Sequence, residues 1–172
     1  MNVHEAIRTR SSVREFLPDF VPEESLGRVL EAARLAPSSS NRQEWRFIVV
    51  RDAERRRRLS LVANNQTWIA DAPVIIAAVA TDPSSVMTCG VPRYAVDVSI
   101  AVDHITLAAV EEGLGTCWIG AFSQEGARAV LGVEPDCMVV TLMPLGYPVS
   151  GTHAAKSRKP LEAIVRYEQD RQ

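Results

Sequence analysis

The segment Pro73–Ala80, PVIIAAVA, restricts the fold of this chain more than any other part of the sequence. It contains no charged or hydrogen-bonding side chain, and the apolar run around it, Ala72–Ala80, is far shorter than the roughly 20 residues that span a bilayer. Short apolar runs rich in β-branched residues are typical of buried strands. Such a strand requires a sheet that is covered by helices, so the chain must also supply amphipathic helices.

The clearest helix begins at Pro22, repeats apolar residues every three or four positions, and ends before Pro37. Further helices are predicted at Asn2–Thr9, after Asp52, at Tyr94–Glu112 and after Ser123. Strands are predicted for WRFIVV (45–50), TCWIGAF (116–122) and CMVVTLMPLGY (137–147), where the proline indicates a bulge or an edge. Together with the polar loop PSSSNRQE (37–44), these elements predict one α+β sandwich domain over residues 1–172.

Composition excludes several classes of protein. The formal charge of −2, from 19 basic and 21 acidic residues, gives no global field for nucleic acid, and the run ERRRR (54–58) is interpreted as a solvated helix face with RNA binding as an alternative. Cys89, Cys117 and Cys137 form no CxxC pair, and no signal peptide is visible, so a cytoplasmic protein is expected. The three histidines, at positions 4, 104 and 153, are scattered, so no metal site is predicted.

Two clusters of cations are the strongest chemical signal. Arg8, Arg10 and Arg14 flank the hydroxyls of Ser11 and Ser12, and KSRK (156–159) lies near the other end of the chain. Guanidinium groups with serine hydroxyls bind phosphate, but cations at a helix C-terminus also stabilise the helix dipole, so either interpretation holds for each cluster alone. The clusters can share one phosphate only if the fold brings both chain ends together. GLGTCWIG (113–120) is not a dinucleotide fingerprint, because a predicted helix precedes it.

Six segments follow one another along the chain: RTRSSVREF, APSSSNRQEWRFIVV, NNQTWIADAPVIIA, GLGTCWIGAF, LGYP and KSRKPLEAIV. In this order they resemble the nitroreductase family of flavin mononucleotide (FMN) oxidoreductases. The resemblance implies a three-layer α-β-α sandwich with a central, mostly antiparallel sheet, in an intertwined homodimer that builds two FMN sites at the subunit interface. It also implies that NADH or NADPH reduces the flavin, which then reduces a flat acceptor such as a nitroaromatic, a quinone or another flavin in a ping-pong cycle.

The resemblance also assigns residues to the flavin. Arg10, Lys156 and Arg158 would bind the phosphate, Ser12 the phosphate or ribityl chain, and Ser11 would contribute backbone. Arg14 would lie near the pyrimidine edge, where a positive charge stabilises the reduced flavin and raises its potential. The loop with Pro37, Ser38, Ser39 and Asn41 would reach the flavin from the partner subunit, Asn65 would contact the pyrimidine, and the segment Trp118, Ile119 and Gly120 would direct a backbone N–H at flavin N5. No side chain is assigned as a catalytic acid or base.

Three departures from the family pattern affect the pocket. Glu44 stands where the family often has proline, Trp68 replaces a second cation near the flavin, and the connection Thr81–Pro92 is short, which predicts an open and poorly selective pocket. Without the family pattern, Trp118 and Ile119 could be core residues and Ser38–Ser40 a flexible connector. Two alternative functions stay open: another flavin reaction, such as dehalogenation or dehydrogenation, and a non-enzymatic flavin-binding module.

Overall fold

The computed structural model describes residues 1–149 and 156–168. Five α-helices and four strands follow in the order α1 (Val3–Thr9), α2 (Glu23–Arg34), β1 (Trp45–Val50), α3 (Ala53–Val62), β2 (Val74–Ala80), α4 (Arg93–Glu111), β3 (Gly115–Thr116), α5 (Gln124–Leu131) and β4 (Met138–Gly146). The strands form one antiparallel sheet in the order β1-β2-β4-β3. His153 lies outside the described residues. No helix in the described part of the chain is long and apolar enough to cross a membrane.

The buried strand predicted at the start is β2, whose seven residues are all buried at the centre of the sheet. Its alternate side chains pack on opposite sides, because successive residues of a strand face opposite ways. Ile76 and Ala78 join α2 and α4, whereas Ile75 and Ala77 join α3 and α5. Two apolar cores with the sheet between them make the α-β-α sandwich, as the family resemblance implies.

The predicted helix boundaries are confirmed to within a residue or two, because capping residues fix them. Asn2 forms a capping box with Glu5, and the side chains of Asp52 and Ser123 accept backbone N–H groups at the starts of α3 and α5. Gly113 follows α4 with a φ of 72°, as expected for its end.

Pro144 was expected to mark a bulge or an edge. β4 is an inner strand, and it does contain a register shift, but at Val140, which is skipped where Val139 and Thr141 pair with Val79 and Ala78. Pro144 instead lies where the pairing between β3 and β4 is interrupted, because it has no N–H for the ladder. The strand predicted over residues 116–122 is accordingly reduced to Gly115–Thr116 and one isolated bridge between Ile119 and Leu142.

Candidate functional site

The segment that follows α1 runs beside β3. Ser12 forms a parallel bridge with Thr116, and the Val13 N–H donates to the Thr116 carbonyl at 2.9 Å. Gly115 permits this close approach, since a Cβ there would lie 2.5 Å from Val13 Cγ2. The fold thereby places Arg10 and Ser12 at the outer edge of the sheet, with the Ser12 side chain exposed.

The two cation clusters meet in the structure. Lys156 donates through Nζ to the Ile7 carbonyl at the end of α1. Burial lowers the pKa of Lys156 below its usual value, and the positive charges of Arg10 and Arg158 lower it further. Within residues 1–149 and 156–168, none of these three cations forms an ion pair with a carboxylate. Three neighbouring positive charges that lack an ion-pair partner in the described part of the chain provide the environment that a phosphate dianion requires.

The buried thiol of Cys117 lies close to both Arg10 and Arg14. Burial raises the pKa of Cys117, while the nearby charges of Arg14 and Arg10 and the Ser12 hydroxyl act in the opposite direction. Arg14, which is exposed, therefore lies on the same side of β3 as Arg10.

In the segment after Cys117, Ile119 is hydrogen-bonded to the sheet, and its neighbours Trp118 and Gly120 face outward. The Ile119 N–H donates to the Leu142 carbonyl at 3.0 Å, and the Ile119 carbonyl accepts from Leu142 N and from the Thr141 hydroxyl. Neighbouring amides of an extended segment point in opposite directions, so those of Trp118 and Gly120 face away from β4. Ile119 is thus a core residue whose N–H is already bonded within the sheet. A ligand can receive a hydrogen bond only from the N–H groups of its neighbours, Trp118 and Gly120.

Trp118 and Gly120 form an open surface. The Trp118 side chain is 42% exposed, which contradicts its alternative interpretation as a core residue. Gly120 is exposed, and the nearest atom to a Cβ placed there would be Trp118 Nε1 at 3.9 Å. A planar ligand can therefore approach the backbone closely at this position.

Asn65 lies in the turn after α3, near the same surface. Its φ of 55° is in the left-handed region, which asparagine tolerates better than most residues. The neighbouring Gln66 donates through Nε2 to the Ala63 carbonyl at 2.9 Å and to the Ala121 carbonyl at 3.4 Å. This contact places the exposed Asn65 turn beside Gly120. Trp68, which stands where the family has a second cation, is half-buried and packs on the core formed by α3 and α5.

The loop 37–44 lies elsewhere. Its Ser39 binds the buried Asp97 of α4, and it leads directly into β1. Glu44 forms ion pairs with Arg42 at 3.3 Å and Arg93 at 3.8 Å, so the residue that replaces the family proline ties the end of the loop to the start of α4. Pro37 and Asn41 are exposed, whereas Ser38 is half-buried and accepts the Gln43 N–H at 3.0 Å through its hydroxyl.

The loop and the cation cluster are at diagonally opposite corners of the sheet. β1 and β3 are the two outer strands, about 14 Å apart at the usual strand spacing. Trp45 is level with Met138 of β4, whereas Thr116 is level with Leu145, which is about 24 Å further along the strand. One protomer therefore brings Arg10, Ser12, Arg14, Asn65, Trp118, Gly120, Lys156 and Arg158 to one surface and the loop to another.

Asp97 and Thr141 were not among the residues predicted from the sequence. Asp97 lies one helical turn before Ala101 on the buried face of α4, and a carboxylate at such a position signals a specific partner. Thr141 fixes the carbonyl of Ile119, but no sequence pattern distinguishes it from an ordinary strand threonine.

The profile of the nitroreductase family matches residues 7–81 and 60–147. The chain belongs to the nitroreductase family. A putative NADH dehydrogenase/NAD(P)H nitroreductase of Methanothermobacter thermautotrophicus is 37% identical over 152 residues, which cover 86% of this chain and 78% of that protein. The FMN reductase [NAD(P)H] of Bacillus subtilis is 32% identical to this chain. The matched region covers 94% of this chain and 72% of that protein.

A solved structure shows the same fold. The NADPH:FMN oxidoreductase from Vibrio harveyi complexed with NAD+ superposes with a TM-score of 0.86 and is 27% identical. The superposition covers 98% of this chain and 78% of that one. The nitroreductase fold implied by the sequence segments is thereby confirmed.

Proposed function

We propose that this chain is an FMN-dependent oxidoreductase that takes reducing equivalents from NADH or NADPH and delivers them to a flat acceptor. The observation that carries the proposal is the cluster of Arg10, Lys156 and Arg158, which the two chain ends build together and which forms no ion pair with a carboxylate among residues 1–149 and 156–168. Relatives named NAD(P)H nitroreductase, FMN reductase and NADPH:FMN oxidoreductase support the same activity.

The residues that lie around β3 are suited to contact FMN along its length, from the phosphate to the ring. Arg10, Lys156 and Arg158 bind the phosphate, and Ser12 donates its hydroxyl beside them. Beyond the cations, the open backbone at Gly120 and the Asn65 side chain receive the ring. When bound, FMN supplies the hydride chemistry, so the chain needs no side chain as an obligatory acid or base.

We also propose that two copies of the chain complete each site. The loop 37–44 lies too far from the cation cluster to act on the same flavin within one protomer, and a two-fold axis places each loop beside the cluster of the other copy. The exposed apolar side chains of the chain end, Leu161, Ile164 and Tyr167, support an intertwined homodimer.

The face of α1, α2 and α4 provides the surface for the second copy. Val3 and Leu35 are 69% and 64% exposed there, beside a shallow cavity of about 310 Å³ that is also lined by Ala6, Leu107 and Ala108. Contiguous apolar surface of this kind marks an interface between proteins. Cys117 and Cys137 are buried free thiols, which is consistent with a cytoplasmic enzyme.

A visible spectrum tests the proposed function directly. The purified protein with FMN is expected to be yellow and to lose its absorbance near 450 nm when NADH or NADPH is added without oxygen. Subsequent addition of a nitroaromatic or quinone restores the colour, and parallel lines in double-reciprocal plots indicate a ping-pong cycle. A yellow protein that neither nicotinamide bleaches is a flavin-binding module, and a protein that binds no FMN contradicts the proposal.

Arg14 sets the potential of the flavin in this proposal. Arg14→Ala is expected to lower the two-electron midpoint potential by about 20 to 60 mV, which corresponds to roughly 1 to 3 kcal/mol of lost charge stabilisation. A dye-equilibration titration measures this shift. Arg14→Lys keeps the charge and serves as the control, and an unchanged potential in Arg14→Ala removes this role.

The pH dependence of FMN affinity follows from Lys156. Its pKa is lowered in the free protein, and a bound phosphate dianion raises it again, so binding takes up a proton at alkaline pH. Affinity is therefore expected to fall as the pH rises toward the ordinary pKa of lysine, and to fall again below about pH 6, where the phosphate loses its second charge.

Fluorescence titration at a series of pH values measures this profile. In the control Lys156→Arg the alkaline decrease should disappear, since arginine does not titrate in this range, while the acidic decrease remains. An alkaline decrease of equal size in both proteins would show that Lys156 does not bind the phosphate.

A further inference from the structure

Asp97 is a buried carboxylate that contacts the loop 37–44. Asp97 is 4% exposed and lies in the first half of the buried, mostly apolar face of α4. The Ser39 N–H lies 3.1 Å from both carboxylate oxygens, and the Ser39 hydroxyl donates to Oδ1 at 2.8 Å. A buried carboxylate is retained only where its hydrogen bonds compensate for the loss of water, and Ser39 supplies them.

The loop needs such an external contact because its backbone is strained. Ser40, Asn41 and Gln43 all have φ values of 54° or 55°, in the left-handed region that residues other than glycine rarely adopt. Strain of this kind persists only where the surrounding structure imposes it, and it clusters at ligand-binding sites.

Hydrogen bonds inside the loop fix its shape. The Asn41 N–H donates to the Ser38 carbonyl at 2.9 Å, and Gln43 Nε2 donates to the Asn41 carbonyl at 3.1 Å. These bonds do not determine where the loop lies on the protein. The ion pair of Glu44 with Arg93 holds only the end of the loop. The bonds from Ser39 to Asp97 hold its middle, because α4 is packed across the core by Val98, Ala101 and Ile105.

We propose that Asp97 is a positioning residue. It holds the strained loop against α4 in the position from which the loop contacts the flavin of the second copy. The proposal rests on the proposed function, since the loop has a ligand to meet only if FMN binds. Asp97 does not contact the flavin itself and acts through Ser39.

The chemistry of the contact requires a carboxylate. Both of its oxygens accept, and the hydrogen bonds that it forms within the described residues all come from donors of Ser39. Asparagine has nearly the same volume, but it offers one acceptor and turns an N–H₂ toward a backbone N–H. Asp97→Asn therefore displaces the loop with little change in packing, whereas Ser39→Ala removes only the hydroxyl donor.

The experiment compares FMN affinity by fluorescence titration and the visible circular dichroism of the bound flavin, which reports its asymmetric environment. Asp97→Asn is expected to raise the FMN Kd about tenfold and to reduce the dichroism, and Ser39→Ala to raise the Kd about threefold. Asp136→Asn, the same change at an exposed position before β4, is the control and should leave both signals unchanged.

A purely structural role gives a different result. It lowers the melting temperature of the FMN-free protein but leaves the Kd and the dichroism at wild-type values, and this outcome overturns the proposal. If Asp97→Asn does not fold, Ser39→Ala decides the question by the same two readouts. Wild-type protein that binds no FMN overturns the proposed function instead, so the two failures are distinguishable.

The double variant provides a second criterion. Because both residues act through one contact, Asp97→Asn combined with Ser39→Ala should weaken FMN binding no more than Asp97→Asn alone. If the two effects multiply, the residues act independently and Asp97 does not position the loop through Ser39.

Discussion

Replacing Arg10 and Lys156 together by alanine is expected to weaken FMN binding by at least about 100-fold, so that the variant loses its flavin during dialysis. Arg10 and Lys156 come from opposite ends of the chain and meet at the end of α1, where Arg158 is the third cation. A hydrogen bond to a charged group contributes about 1.5 to 3 kcal/mol, and two such losses correspond to roughly two to four powers of ten in Kd.

The alternative interpretation of these cations predicts a different result. If Lys156 only stabilises the C-terminus of α1 through the Ile7 carbonyl, its removal lowers the melting temperature but leaves the FMN affinity unchanged. The matched control is Arg8→Ala with Lys159→Ala, which removes two exposed cations from the same two segments and the same net charge. Equal FMN affinity in both double variants would contradict the phosphate cluster.

The elements of the fold were predictable because each has a local signal. Apolar periodicity, proline and capping side chains determined the helices, and the uninterrupted apolar run determined β2. The short β3 was not predictable, because its end depends on a proline in the neighbouring strand rather than on its own residues. The effect of Pro144 was not predictable for the same reason, since a missing N–H matters only at the position where a partner strand needs it, and the bulge of β4 lies at Val140 instead.

The site residues divide in the same way. The cations near Ser12 are visible in the sequence, but their meeting with Lys156 is a consequence of the fold that no local pattern contains. Ile119 matched a family segment, yet its amide is bonded to Leu142, and only the pairing register shows this. Asp97 was visible as a carboxylate on an apolar helix face, but its partner is 58 residues away along the chain.

Two defective variants are expected to restore one working site when they form a mixed dimer. The clamp variant carries Arg10→Ala and Lys156→Ala, and the loop variant carries Asn41→Trp, which adds bulk and removes the residue type that tolerates the left-handed backbone. Each variant alone is expected to bind little FMN, because every site of its homodimer lacks either the cation cluster or an intact loop.

In the mixed dimer, one site combines both defects and the other combines neither. That second site takes its cations from the loop variant and its loop from the clamp variant. With two different affinity tags to isolate it, the mixed dimer should bind about one FMN and have about half of the wild-type activity per dimer.

The reciprocal arrangement gives the opposite result and serves as the control. When all three substitutions are on one chain and its partner is wild type, each site of the mixed dimer receives one defective half, and almost no FMN should bind. If each site were built within a single protomer, the wild-type chain would keep its own site, and the first mixed dimer would gain nothing. The diagonal separation of about 24 Å along β4 and 14 Å across the sheet predicts the shared arrangement, and the two mixed dimers together decide between the possibilities.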